Sequence, residues 1–197
     1  MADKRWSSVH AVGRRAPGVS HPKLVVHLAA DLSAFAAPRC DDVFIALGTT
    51  IRTAGSREAF RAVDLDAVLS VARAAHAAGA SRLALVSAMG ADPESSVFYT
   101  RTKGEVEAAV CALGFDSVVI ARPSLLVGNR AALQQPGRPA EALALRVAKW
   151  LAPLIRRLPR DMRPVAADDV AAAMVRALAT SPPGSRVLLS GDLQPAS

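Results

Sequence analysis

The sequence predicts a single α/β domain, residues 1–197, in which helices alternate with the strands of a mostly parallel sheet. Short apolar, β-branched runs recur along the chain, and longer segments with apolar residues at helical spacing separate them. Runs that are apolar throughout are typical of parallel strands covered on both faces. Hydrophobic residues make up 51% of the chain and aromatic residues only 4%, so the core must be built from Ala, Val and Leu.

Three strands are predicted before the first long helix. They are apolar and partly β-branched, and two of them end in turn-forming residues. The predicted strands are Ser8–Val12, followed by Gly13-Arg14-Arg15; Lys23–Leu28; and Asp42–Leu47, followed by Gly48-Thr49-Thr50.

Helices and strands then alternate as in βαβ units. The capping residues and glycine stop signals set the boundaries. The predicted elements are a helix over Arg57–Ala78 capped by Ser56, a strand over Ser81–Ser87, a helix capped by Ser95 or Ser96 that ends at Gly114, and a strand over Asp116–Ala121.

The remainder, residues 129–197, is expected to supply covering helices and the substrate side of the domain. An amphipathic, arginine-bearing helix there is either a lid, or a basic surface for acidic partners, or an ordinary covering helix, and we favour the last. The predicted elements are a polar loop over 129–139, the amphipathic helix Glu141–Leu151, a helix over Val170–Ala179 capped by Asp168 or Asp169, and a strand over Arg186–Ser190.

Charge and composition narrow the function classes. The net charge is +7, but the arginines are spread along the chain, which favours a solvated surface over a nucleic-acid groove. The four histidines lack metal-ligand spacing, so no metal site is predicted. No segment matches a signal peptide or a membrane span. With only Cys40 and Cys111 as cysteines, we expect free thiols and a cytoplasmic protein.

A serine, a tyrosine and a lysine form the candidate catalytic group. Ser87 ends a buried strand, and Tyr99 and Lys103 are spaced to share one face of a helix. An ammonium near a phenol favours the phenolate, so Lys103 is expected to lower the pKa of Tyr99 from about 10 towards neutrality. The alternative is a half-buried helical tyrosine beside a solvated lysine.

Together with the strand order, these motifs resemble the short-chain dehydrogenase/reductase superfamily, in particular its atypical branch near the Tat-interacting tumour-suppressor reductase and NmrA-like proteins. The resemblance implies a Rossmann-like, doubly wound, mostly parallel sheet that binds NADP or NAD. The segments that carry it are Leu47-Gly48-Thr49-Thr50, Ala54-Gly55-Ser56, Phe60 with Val63-Asp64, Ser87 with Gly90-Ala91-Asp92, Tyr99 with Lys103-Gly104-Glu105 and Glu107, Arg122-Pro123-Ser124-Leu125-Leu126, and Val165–Ala171.

The resemblance also implies roles for single residues. Tyr99 would be the general acid/base, Lys103 would hold the nicotinamide ribose, and Ser87 would orient the substrate carbonyl. Asp64 stands near a position where many relatives carry a helix asparagine, and it is assigned no catalytic role.

Further residues are expected to contact the cofactor. Gly48 and Thr49, with the flanking Leu47 and Thr50, would line the adenosine side, and Pro123 and Ser124 would approach the nicotinamide carboxamide. Arg14 and Arg15 suit a 2′-phosphate, which favours NADP over NAD, and a charged turn is the equal alternative.

One departure from the family pattern stands out. Relatives open with a strand, a glycine-rich turn and a helix that hold the pyrophosphate, whereas the first glycine here is Gly13, after what matches the family's second strand. Three explanations are open. The first, which we favour, is that the protein starts upstream of Met1. The others are that the two orphaned strands pair directly, or that the chain is a remnant that does not bind a dinucleotide. For the chain as written, the sheet should be gapped or re-closed there, with weak or no dinucleotide affinity.

The predicted function is that of an NADP(H)-dependent oxidoreductase, or one that uses NAD, acting on an unidentified small carbonyl or alcohol. A homodimer is considered as its assembly. The alternative is a non-catalytic regulatory or protein-interaction module that has kept the fold.

Overall fold

The structure is a computed structural model, and it describes residues 4–33, 35–127 and 159–195. The predicted loop over 129–139 and the predicted helix Glu141–Leu151 lie outside the described residues.

A four-stranded parallel sheet with the order β3–β4–β5–β8 forms the centre of the described fold. Each connection between neighbouring strands of this sheet contains helix, which is the βαβ arrangement that the sequence predicted. The strands are β1 (Val9–Gly13), β2 (Leu24–Leu28), β3 (Asp42–Ile45), β4 (Arg82–Val86), β5 (Ser117–Arg122), β6 (Leu126–Val127), β7 (Val165–Ala166) and β8 (Gly184–Leu189).

Within the described residues the predicted helices are present, with changes at their ends and in the middle of the first. The helix predicted to be capped by Ser95 or Ser96 has Val97 at its N-cap, without a side-chain capping hydrogen bond. Asp168 and Asp169 lie inside the first turn of the last helix, where they complement the helix dipole instead of capping it. The helices are α1 (Ile51–Ala54), α2 (Arg57–Arg61), a π-helical segment (Ala62–Ala67), α3 (Val68–Ala77), α4 (Phe98–Cys111), a 3₁₀ turn (Arg160–Met162) and α5 (Ala167–Thr180). Among these described helices, none is long and apolar enough to cross a bilayer.

The central sheet is covered on both faces, so the doubly wound prediction is confirmed. Along β4, Leu83 and Leu85 pack with α3 and α4, while Ala84 between them packs with α5. Successive side chains of a strand point to opposite faces, so the continuous apolar run becomes two cores. Val118 and Val119 of β5 divide in the same way.

The sheet is interrupted where the sequence predicted a gap. β1 pairs with β2 in parallel, but this two-stranded ribbon is not hydrogen-bonded to β3, the edge of the central sheet. Several apolar side chains of β2 and β3 are exposed, including Val25 at 43%, Leu28 at 66% and Phe44 at 41%. The gapped arrangement, not the re-closed one, is therefore observed.

The segment before β1 connects the two sheets. Trp6 donates a hydrogen bond from Nε1 to Asp42 Oδ2 at 2.7 Å, and its ring meets Phe44 edge-on at 6.0 Å. Lys23, the residue before β2, donates from Nζ to the Trp6 carbonyl at 2.7 Å. Asp42 also receives a bidentate hydrogen bond from Arg82. The ribbon is thus attached through side chains at the amino end of β3.

A glycine fixes how closely α4 approaches the loop that precedes it. A Cβ at Gly104 would lie inside van der Waals contact with the Asp92 carbonyl carbon and the Pro93 nitrogen. Both neighbours are backbone or ring atoms, which cannot move aside by a change of rotamer. Because Gly104 follows Lys103 directly, this close approach also determines where the lysine sits.

We expect Gly104→Ala to destabilise the protein by about 3 kcal/mol, in the range of severe overpacking. In an unhindered helix the same change would stabilise the protein by roughly 1 kcal/mol. The sign of the change in the free energy of unfolding therefore tests whether Gly104 is closely packed. The measurement is the free energy of unfolding by urea.

Gly18→Ala is the matched control, because nothing lies within 4 Å of a Cβ added at Gly18. Equal stability of Gly104→Ala and the unsubstituted protein would show that α4 does not approach the loop this closely.

Candidate active site

Three predicted groups of site residues follow the carboxyl ends of adjacent parallel strands. Gly48-Thr49-Thr50 follows β3, Ser87 follows β4, and Pro123 follows β5. Because the strands are parallel and in register, these residues lie at one edge of the sheet. This edge is where doubly wound sheets bind ligands.

The helix α4 brings Tyr99 and Lys103 to this region in successive turns. Its first turn is held by aromatic packing, because the fully buried ring of Phe60 lies 5.7 Å from the rings of both Phe98 and Tyr99. Phe60 belongs to α2, so the phenol is positioned by contact between two helices.

Lys103 is buried and forms an ion pair with Asp64. Its side chain is 7% exposed, and Nζ lies 2.6 Å from Asp64 Oδ1. The other carboxylate oxygen, Oδ2, accepts a hydrogen bond from the backbone N–H of Thr49 at 2.8 Å. One carboxylate therefore joins α4 to the turn after β3.

The turn after β3 passes close to this pair. A Cβ added at Gly48 would lie 3.4 Å from Asp64 Oδ1 and 3.9 Å from Lys103 Nζ. The sequence-predicted residues Gly48, Thr49 and Lys103 are thus brought together, with Asp64 between them.

The hydroxyl of Ser87 is buried and unused. Ser87 is 6% exposed, its backbone N–H donates to the Ala121 carbonyl, and its Oγ has no hydrogen-bond partner among the described residues. Buried polar atoms are nearly always paired in folded proteins. A buried hydroxyl without a partner at this edge is suited to a ligand oxygen.

The expected lowering of the Tyr99 pKa by Lys103 is not observed. Instead the pKa of Tyr99 is raised above 10, chiefly because burial disfavours the phenolate and secondarily because the negative charge of Asp64 repels it. The Lys103 ammonium is paired with Asp64, so its charge is locally balanced. At pH 7 Tyr99 is therefore a phenol.

Ser124 uses its polar groups within the fold. Its Oγ donates to the Arg163 carbonyl at 2.7 Å, and its backbone N–H donates to Ser190 Oγ at 3.2 Å. The Pro123 carbonyl accepts from the Met89 N–H at 3.0 Å. These contacts join the end of β5 to the segments after β4, before β7 and after β8. The predicted approach of Pro123 and Ser124 to a nicotinamide carboxamide stays a prediction.

The remaining predicted cofactor residues lie around the same turns or on the separate ribbon. Leu47 packs against the core, and Thr50 caps α1 by accepting from the Thr53 N–H at 3.1 Å. Arg14 and Arg15 follow β1 directly and are exposed. Their expected contact with a 2′-phosphate stays a prediction.

Asp64 is the site residue that the sequence analysis missed. It was assigned no catalytic role, yet it is 1% exposed and contacts two of the predicted residues. A usable signal was its spacing, because Phe60, Asp64 and Val68 recur every four residues and all three are buried. A carboxylate on the apolar face of a helix requires a buried partner.

Within residues 4–33, 35–127 and 159–195, no group of three or more His, Cys, Asp or Glu side chains is arranged to hold a metal ion.

Solved structures with a similar fold include complexes with a nicotinamide dinucleotide. The chain is similar to MoeE5 in complex with UDP-glucose and NAD, with a TM-score of 0.65 and 18% identity over 92% of this chain and 67% of that one. It is also similar to Bordetella bronchiseptica WbmH in complex with NAD⁺, with a TM-score of 0.64 and 17% identity over 93% and 67%. These likenesses show the fold, which is Rossmann-like.

Curated relatives identify the family more closely, although no family model matches the chain. The protein fmp52 of Aspergillus fumigatus is 37% identical over 199 residues, covering 96% of this chain and 80% of the relative. That of Aspergillus terreus, fmp52-1, is 34% identical over 90% and 78%. The chain belongs to the FMP52 family. The alignment with the Emericella nidulans relative, at 38% identity, spans only 64% of that protein's length.

The cytoplasmic prediction is wrong. The relatives from Aspergillus fumigatus, Emericella nidulans and Scheffersomyces stipitis are all named as mitochondrial proteins. The inference failed because two unpaired cysteines indicate a reducing compartment, and they do not distinguish one such compartment from another.

We expect the tyrosinate absorbance near 295 nm to appear with a midpoint above pH 10 in the folded protein. Tyr99 is the only tyrosine in the chain, so this titration reports a single group. Burial and the Asp64 carboxylate both oppose the phenolate.

The raised pKa also has a consequence for stability. Unfolding releases Tyr99 to its ordinary pKa near 10, so the unfolded chain loses the proton first and stability falls as the pH rises above about 10. A midpoint at or below 10, with circular dichroism showing a folded chain, would contradict the described burial.

Proposed function

We propose that the protein is a nicotinamide-dinucleotide-dependent oxidoreductase that acts on a small carbonyl or alcohol, with NADP(H) favoured over NAD(H). The observation that carries the proposal is the arrangement around Lys103. A buried ammonium, a glycine turn and a phenol one helical turn away lie at the ligand-binding edge of a Rossmann sheet.

The residues divide the chemistry between them. The Ser87 hydroxyl, which has no partner in the described part of the chain, donates to the substrate oxygen and orients it. Tyr99, a phenol at pH 7, donates a proton to the same oxygen as a carbonyl becomes an alcohol. The cofactor supplies or accepts the hydride when bound. Lys103 holds its ammonium at the Gly48 turn, where it can donate to ribose hydroxyls.

The described residues fit one part of such a cofactor. Lys103 and the close backbone approach at Gly48 suit a ribose, and the exposed Arg14 and Arg15 suit a phosphate. Residues 4–8, which precede β1, contain no glycine, so they provide no glycine turn for the pyrophosphate. We therefore expect weak affinity for the chain as given, with a dissociation constant of about 1 mM.

A non-catalytic interaction module is the second candidate. It is favoured by the interruption between β1 and β3, and by the exposed apolar side chains of Leu28 in β2 and Phe44 in β3. Such a module would bind a protein partner with an affinity that does not depend on Tyr99 or Lys103.

We also propose that the protein acts in mitochondria, as the names of its relatives indicate for those proteins. Fractionation of its native cells, with an antibody against the chain, is expected to recover it with mitochondrial markers. Recovery only in the soluble fraction without those markers would overturn this.

We expect NADPH to raise the melting temperature at millimolar concentration and to be oxidised in the presence of a suitable aldehyde or ketone. Tyr99→Phe should leave NADPH binding within about twofold and abolish turnover, because it removes only the proton donor. Lys103→Met should weaken binding about tenfold or more, which corresponds to about 1.4 kcal/mol.

Ser87→Ala and Ser96→Ala form a matched pair of serine substitutions. Ser96 is exposed and close in sequence to α4, so its replacement should leave turnover unchanged, while Ser87→Ala should lower kcat. No shift in melting temperature and no NADPH fluorescence change at millimolar NADPH or NADH would refute the oxidoreductase proposal and favour the interaction module.

A further inference from the structure

The pair formed by Asp64 and Lys103 is the most deeply buried ion pair of the described structure. The exposed fractions of the two side chains are 1% and 7%. A buried pair is weak support for stability, because removing both charges from water costs as much as their attraction returns. Apolar residues at both positions would pack against the surrounding core at no such cost.

The backbone that presents Asp64 is also unusual. Residues Ala62–Ala67 form a π-helical turn between two α-helical segments, and Asp64 lies within it. Such turns are rare and are found mostly at functional sites. The π-helical turn and the buried charge are independent observations, and both fall on the same residue.

We propose that Asp64 is a positioning residue of the active site, whose carboxylate holds the Lys103 ammonium against the Gly48–Thr49 turn and sets the charge beside Tyr99. The proposal rests on the function proposed above and adds a residue that the sequence motif does not contain. The carboxylate acts through Lys103 and Tyr99, and it contacts both the helix that carries them and the turn opposite.

The two oxygens of Asp64 have separate tasks. Oδ1 faces the Lys103 ammonium at 2.6 Å, and Oδ2 accepts from the Thr49 N–H at 2.8 Å. An ammonium has three N–H donors, so pairing with one carboxylate oxygen leaves donors for a ligand. The carboxylate thereby fixes the direction of a long side chain that would otherwise have many rotamers.

The charge beside Tyr99 comes from few groups. From the π-helical segment, Asp64 raises the pKa of Tyr99, after burial as the larger cause. On α4 itself, Lys103 is balanced by Asp64, and Arg101 and Glu105 are partly exposed and lie 3.9 Å apart. From α2, Arg61 pairs with Glu105 and Arg57 lies over the Phe98 ring. Removing the Asp64 charge should therefore free the Lys103 ammonium to favour the phenolate.

The experiment titrates the single tyrosine in the unsubstituted full chain, in two single variants and in their double variant. Stopped-flow pH jumps read the tyrosinate absorbance before any unfolding. Asp64→Asn keeps the shape and an oxygen acceptor for Thr49 but removes the charge, and the midpoint should fall by about one pH unit or more. Lys103→Gln leaves the Asp64 charge unbalanced, and the midpoint should rise. In the double variant, Asp64→Asn with Lys103→Gln, the Tyr99 midpoint should lie between those of the two single variants.

Asp66→Asn is the matched control. Asp66 lies two residues away in the same π-helical segment but is exposed, so its replacement should leave the Tyr99 midpoint unchanged. An equal shift in both Asp variants would mean a general effect of net charge and would overturn the proposal. An unchanged midpoint in Asp64→Asn, with the chain folded, would also overturn it.

If Asp64→Asn does not fold, Lys103→Gln decides, because the proposal requires its midpoint to rise and an unchanged midpoint refutes it. The titration uses neither cofactor nor substrate. A chain that shows the shifts but does not bind NADPH would refute the proposed function and keep the inference about Asp64. A chain that oxidises NADPH but does not show the shifts would support the proposed function and refute the inference about Asp64.

Discussion

The ion pair between Asp64 and Lys103 is the constraint on which the described site depends. It connects α4, the π-helical segment and the turn after β3, three parts of the chain that are distant in sequence. If either partner were removed, the other would remain as an uncompensated buried charge, which is far more costly than the pair is favourable. The pair therefore fixes the geometry of the site, although it contributes little to the stability of the fold.

The inner face of helix α4 presents two buried charged side chains in addition to its apolar contacts. Glu107, one turn beyond Lys103 on the same face, is 5% exposed and receives a bidentate contact from Arg122 of β5. Two successive charged residues on the inner face are thus each paired with a different element. Together with the backbone contact at Gly104, these pairs allow little sliding or rotation of the helix, so Tyr99 and Lys103 are presented in one orientation.

The two sides of the candidate site differ in how firmly they are built. The side formed by β3, β4, β5 and α4 has a continuous sheet and two packed cores. The side formed by β1 and β2, which carries Arg14 and Arg15, is a separate ribbon joined to β3 through Trp6. Ser87, Lys103 and Gly48 therefore belong to the continuously packed part of the fold, whereas Arg14 and Arg15 belong to the separate ribbon.

The sequence by itself determined the alternation of strands and helices, the parallel sheet, and the positions of Ser87 after a strand and of Tyr99 and Lys103 on successive turns of the next helix. These features follow from local periodicity, from glycine and proline signals, and from the fixed spacing of residues on a helix. Only the tertiary structure decided the partner of Lys103, the raised pKa of Tyr99 and the interruption beside β3. The ion pair and the raised pKa depend on which charged side chains are buried next to each other. Residues 64 and 103 are too far apart in sequence for any local pattern to reveal that they meet.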